Sequence, residues 1–252
     1  DKFVWSRPRI TGELPQPIAG HSSILVGLEM LVFGGRQDNG TFSNLLHSFN
    51  TGSRVWSVVT PQSVPPQARY GHACCLAGKS MIIYGGKSSS GQILDDMWAF
   101  DTVSKSWKEL IFKGNHPKPA IFATMCALDS FKVVLYGGKD SSGCVLDETL
   151  ICDIGSCVWS VVEPPRVGSR DCPLERVSHT LSEINKKLYA IGGTAPTGPA
   201  HVVSLLILSK AKIKPYASSG STSPPTSSSS FSSSPPAFAQ PQSISCSSPP
   251  FS

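Results

Sequence analysis

Three side chains in the last third of the chain have types and spacing that could hold a metal ion. Asp171, Glu175 and His179 are separated by four residues each, and on a helix this spacing would place two carboxylates and an imidazole on one face. Such donors suit a hard divalent metal. Pro173 lies between them, however, and proline interrupts helices. The three residues are therefore candidate metal ligands only, and for the chain as a whole we predict no cofactor.

No other part of the sequence has the spacing of a catalytic site. The segment from Ala73 to Ser80 matches a loose phosphate-loop pattern, but a phosphate loop must lead from a strand into the N-terminus of a helix. Here Ser80 leads directly into the apolar run MIIYGG, so Gly78-Lys79 is predicted to be a hairpin turn. The sequence also lacks a Ser–His–Asp, Cys–His or G-x-S-x-G context. We therefore predict that the protein binds a partner and is not an enzyme.

Composition excludes several classes of partner. The net charge is +5, from 22 Lys and Arg against 17 Asp and Glu, which is well short of the footprint of a nucleic-acid-binding protein. The longest apolar runs are far below the roughly 20 residues that cross a bilayer. The eight cysteines include no C-x-x-C pair, which is typical of reduced thiols inside the cell. We expect a protein of the cytoplasm or nucleus that binds neither nucleic acid nor membrane.

A repeat of about 51 residues organises the chain. Tryptophans recur in steps of 51, 51 and 52 residues, and Gly-Gly pairs recur in steps of 51, 52 and 55. The tryptophans are Trp5, Trp56, Trp107 and Trp159, and the pairs begin at Gly34, Gly85, Gly137 and Gly192. A further glycine follows each pair by five residues, and an Asn or Asp follows the first three pairs by nine. Several motifs that recur in register indicate a repeat architecture.

Each repeat has the pattern of four short strands. In the second repeat the runs GHACCL, MIIYGG, MWAFD and SWKEL are rich in apolar, β-branched and aromatic residues, and turn residues divide them. Gly85-Gly86 ends the second run, where a positive φ or a close backbone approach would exclude a Cβ. Four antiparallel strands per repeat describe one blade of a β-propeller. Such blades must stack around an axis, because one sheet cannot bury both of its faces alone.

The repeat resembles the kelch repeat. In the second unit the matching series is His72, Tyr84-Gly85-Gly86, Asp95, Phe100-Asp101 and Trp107, and in the first it is His21, Phe33-Gly34-Gly35, Asn44, Phe49-Asn50 and Trp56. The third unit has Thr124 in place of the histidine. The fourth keeps Arg176, His179 and Gly192-Gly193, and then the pattern decays without a closing tryptophan. The resemblance covers about residues 3–208. It implies an all-β, kelch-type β-propeller that is incomplete, with about three and a half four-stranded blades. Trp56, Trp107 and Trp159 recur at equivalent positions and are predicted to pack between blades, and His21, His72 and His179 are predicted to begin strands.

The repeat and the composition divide the chain into six predicted parts. They are the last strand of a preceding blade plus a linker (1–17), three kelch blades (18–65, 66–117 and 118–172), a degenerate partial blade (173–213) and a Ser/Pro-rich tail (214–252). The tail has no Asp, Glu, Lys or Arg after Lys214 and buries too little apolar surface to fold, so we predict that it is disordered. Because open sheet edges aggregate, we expect that sequence before Asp1 supplies further blades or that the product is unstable.

Cations are predicted to converge on one face of the propeller. In an antiparallel meander, the loop after each Gly-Gly pair and the loop between blades lie on the same face. Arg36, Lys87 and Lys139 directly follow three successive pairs, and Arg69 and Arg176 lie three residues before the repeat histidines. An arginine binds both oxygens of a carboxylate or phosphate at once. These five residues are therefore the candidate partner-binding residues, and an acidic or phosphorylated segment of a protein is the expected ligand.

The same cations have a structural alternative. They could keep the loop edges soluble, or pair with Asp95 and Asp147 nearby. The loops between blades add further positive charges to this face, at Lys113, Lys118, Arg166 and Arg170.

Two kinds of protein with this repeat are compatible with the sequence. The 51-residue spacing and the proline-rich loops between blades look most like plant F-box/kelch proteins, in which the propeller recruits a substrate for ubiquitination. That resemblance implies cullin-based ligase components as partners, bound through sequence before Asp1. The alternative is an iron-dependent, kelch-type specifier protein of glucosinolate breakdown, whose Glu-x-x-x-Asp-x-x-x-His site resembles Asp171, Glu175 and His179 with the two acids exchanged.

Overall fold

The computed structural model describes residues 5–163, 175–196, 198–199, 204–207 and 212–216. Every regular element in these ranges is a β-strand. No helix in them is long and apolar enough to cross a membrane. Candidate ligand Asp171 and the predicted tail from residue 217 onward lie outside the described residues. Trp5 and Ser6, which belong to the strand predicted at Phe3–Ser6, are described; they are not in a strand, and Trp5 is fully exposed.

Each of the first three repeats forms an antiparallel meander of four strands, here called blades 1 to 3. Blade 1 contains Ser22–Val26, Glu29–Phe33, Leu46–Asn50 and Val55–Val59. Blade 2 contains Ala73–Ala77, Ser80–Tyr84, Met97–Asp101 and Ser106–Glu109. Blade 3 contains Thr124–Ala127, Lys132–Tyr136, Thr149–Asp153 and Val158–Glu163. The Gly-Gly pair follows the second strand in every blade, as the repeat predicts.

The fourth repeat, blade 4, forms a sheet of three strands within the described residues. They are Thr180–Ile184, Lys187–Ile191 and Ser204–Ile207. The loops are joined by two-residue strands, which pair Ile18–Ala19 with Arg36–Gln37, Arg69–Tyr70 with Lys87–Ser88, and Thr194–Ala195 with Gly198–Pro199. The predicted all-β, propeller-type fold is confirmed.

Two further strands extend the outer edges of blades 1 and 3. Thr11–Gly12 runs parallel to the fourth strand of blade 1, and Lys212–Pro215 runs antiparallel to the fourth strand of blade 3. Lys214 Nζ forms an ion pair with Glu163 there. The boundary that the composition predicts at residue 213 therefore falls inside a strand. The chain returns from blade 4 to blade 3 before the uncharged segment begins.

The core lies between adjacent blades, and two of the repeat tryptophans, Trp107 and Trp159, contribute to it as predicted. The Trp107 ring packs against Phe33 of blade 1 at 4.9 Å, and the Trp159 ring packs against Tyr84 of blade 2 at 5.7 Å. Both tryptophans are buried. Trp56 is only partly buried and packs on Phe49 of its own blade.

The repeat histidines join blades through hydroxyl groups. His72 Nε2 is 2.6 Å from Ser22 Oγ of blade 1, and His179 Nε2 is 2.6 Å from Thr124 Oγ1 of blade 3. Thr124 is therefore the hydrogen-bonding partner of His179. The spacing predicted that Thr124 occupies the histidine position of blade 3, and this prediction is wrong. Ala123 occupies that place, because the first hairpin of blade 3 has a turn one residue longer than its counterpart in blade 2. Ala123 and Ala73 both belong to the apolar cluster between blades 2 and 3. That interface therefore has two alanines where the interfaces of blades 1 and 2 and of blades 3 and 4 have a histidine and a hydroxyl group.

We predict that acid unfolds this chain through two buried histidines. Burial, supported by the nearby arginines, lowers the pKa of His72 to about 3 and that of His179 to about 4. An unfolded histidine has a pKa near 6.5, so the unfolded state binds more protons below that pH and stability falls as the pH drops from about 6.5 toward 4. Each histidine contributes a slope of about 1.4 kcal/mol per pH unit. Urea unfolding at pH 7, 6 and 5 measures it.

The matched control is His21, the repeat histidine of blade 1, which is exposed. The variant His72→Asn/His179→Asn should lose most of the pH dependence between pH 7 and 5, whereas His21→Asn should retain it. Equal slopes in all three proteins would contradict the assignment of the acid sensitivity to the blade interfaces.

Candidate partner-binding face

Three backbone hydrogen bonds connect the four blades in series near their common axis, and the four residues that form them are here called the axial ring. Gly71 N–H donates to the carbonyl of Gly20 at 2.7 Å, Phe122 N–H donates to Gly71 at 2.7 Å, and Ser178 N–H donates to Phe122 at 3.1 Å. Each of these residues comes directly before the histidine position of its blade, and all four have a positive φ. The loops between blades therefore meet at one face of the molecule.

The residues that follow the Gly-Gly pairs lie beside this axial ring. Arg36 pairs with Ala19, Lys87 pairs with Tyr70, and Lys139 bridges to Ile121. Each partner directly precedes a member of the ring, so the three cations occupy equivalent positions in three successive blades. The side chains of Arg36 and Lys139 are exposed, and that of Lys87 is half-buried.

Among the described residues, no carboxylate forms an ion pair with these three cations. The sequence suggested that Asp95 could pair with Lys87. In the structure the Asp95 carboxylate instead lies 3.8 Å from His116 Nδ1. Lys113 and Lys118 are exposed in the loop between blades 2 and 3. Arg166 and Arg170 lie outside the described residues. We call Arg36, Lys87 and Lys139 the basic rim; their ammonium and guanidinium groups have no carboxylate partner within the part of the chain that the structure describes.

Two of the five predicted partner-binding residues are in the interior, which corrects the prediction for them. Arg69 is fully buried, and its guanidinium donates to both carboxylate oxygens of Asp96 at 2.6 and 2.7 Å and to the Gly85 carbonyl at 3.0 Å. Arg176 is also fully buried and donates to the Gly192 carbonyl at 3.0 Å. Because these guanidinium groups bind their own blades, a partner cannot reach them in the folded chain.

Blade 3 differs from blade 2 at the site of this buried ion pair. Glu148 stands where blade 2 has Asp96, and Ala120 stands where blade 2 has Arg69, as the backbone bonds to the glycine pairs show. Burial raises the pKa of Glu148, and Lys118 opposes that rise. Tyr216 forms a side-chain hydrogen bond with the same carboxyl. The Glu148 carboxyl, which has no buried arginine beside it, thus lies near the exposed side chain of Lys118.

The candidate metal ligands are not brought together within the described residues. His179 is buried between blades 3 and 4, where its Nε2 contacts Thr124 Oγ1, and Glu175 is exposed in the loop before it. Asp171 lies outside the described residues. In the described part of the chain, no three His, Cys, Asp or Glu side chains cluster closely enough to hold a metal.

Phe42, Tyr70 and Phe122 form an aromatic row beside the basic rim, which the sequence pattern did not predict. The rings of Phe42 and Tyr70 are 4.8 Å apart, and those of Tyr70 and Phe122 are 6.0 Å apart. The repeat nevertheless contains one indication of this row. Phe122 stands at the position where blades 1 and 2 have Gly20 and Gly71, directly before the histidine position.

Comparisons with known proteins agree with this architecture. The family model described as "KLHDC2/KLHL20/DRC7 Kelch-repeats domain" matches residues 1–193. Kelch domain-containing protein 2 of Bos taurus is 32% identical over 142 residues, which cover 55% of this chain and 34% of that protein. Host cell factor 2 of Homo sapiens is 29% identical over 211 residues, 76% of this chain and 26% of that protein. Serine/threonine-protein phosphatase BSL2 of Arabidopsis thaliana is 30% identical over 199 residues, 77% of this chain and 19% of that protein. The chain therefore spans about a third or less of the length of these relatives.

Proposed function

Because this chain belongs to the kelch-repeat family, we propose that it is a protein-interaction module that binds an acidic or phosphorylated segment of a partner. The binding face is the one on which the loops between blades meet. The module acts by binding and not by catalysis, and its place of action is the cytoplasm or nucleus.

One observation supports this proposal above the others. Arg36, Lys87 and Lys139 repeat at equivalent positions beside the axis, and no carboxylate among the described residues neutralises them. Cations that converge near low-dielectric walls focus their field and attract anionic groups. A guanidinium such as that of Arg36 also bonds both oxygens of a carboxylate or phosphate.

At a finer level, we propose that the bound segment belongs to a substrate of a ubiquitin ligase. This role rests on the resemblance of the repeat to that of F-box/kelch proteins, and cullin-based ligase components would then bind through another part of the full protein. The iron-dependent specifier alternative has no support from the described residues, because its histidine is buried and hydrogen-bonded between blades.

Reversing two rim charges tests the binding proposal. We expect Lys87→Glu/Lys139→Glu to weaken the binding of acidic peptides about tenfold or more, because rim cations become repulsive. The probes are fluorescein-labelled peptides obtained by panning a phage library of random twelve-residue sequences on the whole chain, and the measurement is fluorescence anisotropy. Peptides that bind through the rim should be enriched in Asp and Glu, and added salt should weaken their binding.

The matched control is Lys79→Glu/Lys105→Glu. Both lysines are exposed in turns on the opposite face, and this variant changes the net charge by the same amount. Equal binding by the two variants would show that the rim has no special role and would overturn the proposal.

A further inference from the structure

Phe122 adopts a backbone conformation that disfavours its own side chain. Its φ is +59°, while the equivalent residues of blades 1 and 2 are Gly20 at +66° and Gly71 at +67°. Left-handed backbone is easy for glycine and unfavourable for a bulky residue, because Cβ crowds the backbone. Strained residues of this kind concentrate at functional sites. The conformation here is imposed by the axial ring, and glycine would satisfy it without strain.

The structure makes room for the Phe122 ring. A Cβ built on Gly71 would lie 2.9 Å from Phe122 Cε1 and 2.7 Å from Ile121 Cγ1. Gly71 thus leaves the space that the ring occupies, and the edge of Tyr70 closes one side of it.

Burial in the core does not explain this residue. The Phe122 side chain is 36% exposed, and it belongs to none of the apolar clusters between blades. Phe42 and Tyr70, which continue the row, are half-buried. The row therefore presents aromatic surface outward at the axis, where a ligand of this face would arrive.

Each aromatic ring has a rim cation as a backbone neighbour. Arg36 bridges to Phe42, Lys87 pairs with Tyr70, and Lys139 bridges to Ile121, next to Phe122. A ligand that contacts the row must also face positive charge. Partly exposed rings at the centre of a binding face, with cations beside them, have the arrangement of an interface anchor.

We propose that the row of Phe42, Tyr70 and Phe122 receives one bulky apolar side chain of the acidic partner segment. This inference rests on the proposed function and adds to it that the recognised motif combines Asp, Glu or phosphorylated residues with one Phe, Trp or Leu. The cations attract the segment to the face, and the row selects it by the buried apolar side chain.

Phe122→Gly tests the inference, because glycine suits the backbone at this position. We expect this variant to bind the selected peptides about tenfold more weakly while its thermal midpoint is unchanged or higher. Phe131→Gly is the matched control, since Phe131 is an exposed phenylalanine in a turn on the opposite face. It should leave the peptide affinity unchanged.

A double-mutant comparison locates the contact. Replacing the bulky residue of a selected peptide with alanine should weaken binding to the wild-type chain about tenfold and to Phe122→Gly by less than about twofold. Equal losses on both proteins would overturn the inference.

The outcomes for the two proposals are distinct. If Lys87→Glu/Lys139→Glu loses binding and Phe122→Gly does not, the basic rim is supported and the aromatic row is rejected. If neither variant loses binding, both proposals fail. If Phe122→Gly lowers the thermal midpoint by several degrees, Phe122 has a structural role and the inference is overturned.

Discussion

Gly85→Ala is expected to lower the free energy of unfolding by about 3 kcal/mol or more, through strain and a clash between blades. The φ of Gly85 is +65°, and a Cβ there would lie 2.5 Å from the carbonyl oxygen of Ala120 in the next blade. That oxygen cannot retreat cheaply, because it accepts a hydrogen bond from Gly86 N–H at 2.9 Å. The substitution should therefore separate blades 2 and 3. Urea unfolding followed by tryptophan fluorescence measures the loss.

Gly192→Ala is the matched control for this prediction. Gly192 is the equivalent glycine of blade 4, with a φ of +71°, but a Cβ there would meet no heavy atom of the described chain within 4 Å. Its replacement should cost only the strain of the backbone, about 1 kcal/mol. If the two variants lose the same stability, contact between blades is not the reason for the glycine.

Asp96→Ala is expected to destabilise the chain by about 3 kcal/mol, because it leaves a buried guanidinium without its counter-ion. Arg69 has no exposed side-chain surface, and its two shortest hydrogen bonds go to the Asp96 carboxylate. The Trp98 indole N–H also donates to this carboxylate at 2.8 Å. Chemical unfolding of the variant at pH 7 provides the measurement.

Removal of both charges should restore most of the stability. In Arg69→Met/Asp96→Ala neither charge is buried alone, so we expect a loss of about 1 kcal/mol. Blade 3 already has Ala120 at the position of the arginine and keeps all four strands of its meander. A double variant no more stable than Asp96→Ala would show that Arg69 stabilises the blade by packing and not by charge.

The architecture was accessible from sequence because its signals are local. A strand of four to six residues, a two-residue turn and a Gly-Gly pair depend on near neighbours, and their recurrence every 51 residues identifies the blade. The same reasoning placed the Arg36, Lys87 and Lys139 loops on one face. The alternation of strand direction in a meander is enough to decide which loops share a face.

The state of each side chain was not accessible in the same way. Arg69 and Arg176 have the same residue type as Arg36, yet they are buried and bind their own blades. Their partners lie 27 residues away at Asp96 and 16 residues away at Gly192. Nothing in the local pattern distinguishes a rim arginine from an interior one.

The sequence by itself therefore determined the number of repeats, the strand order within a blade and the face on which the loops meet. Only the tertiary structure decided that Thr124 pairs with His179, that Lys212–Pro215 returns to blade 3 and that Phe122 faces outward at the axis. The physical reason is the range of the interactions. Strands and turns are specified by hydrogen bonds and side-chain alternation over a few residues, whereas burial and pairing between blades depend on residues about fifty positions apart.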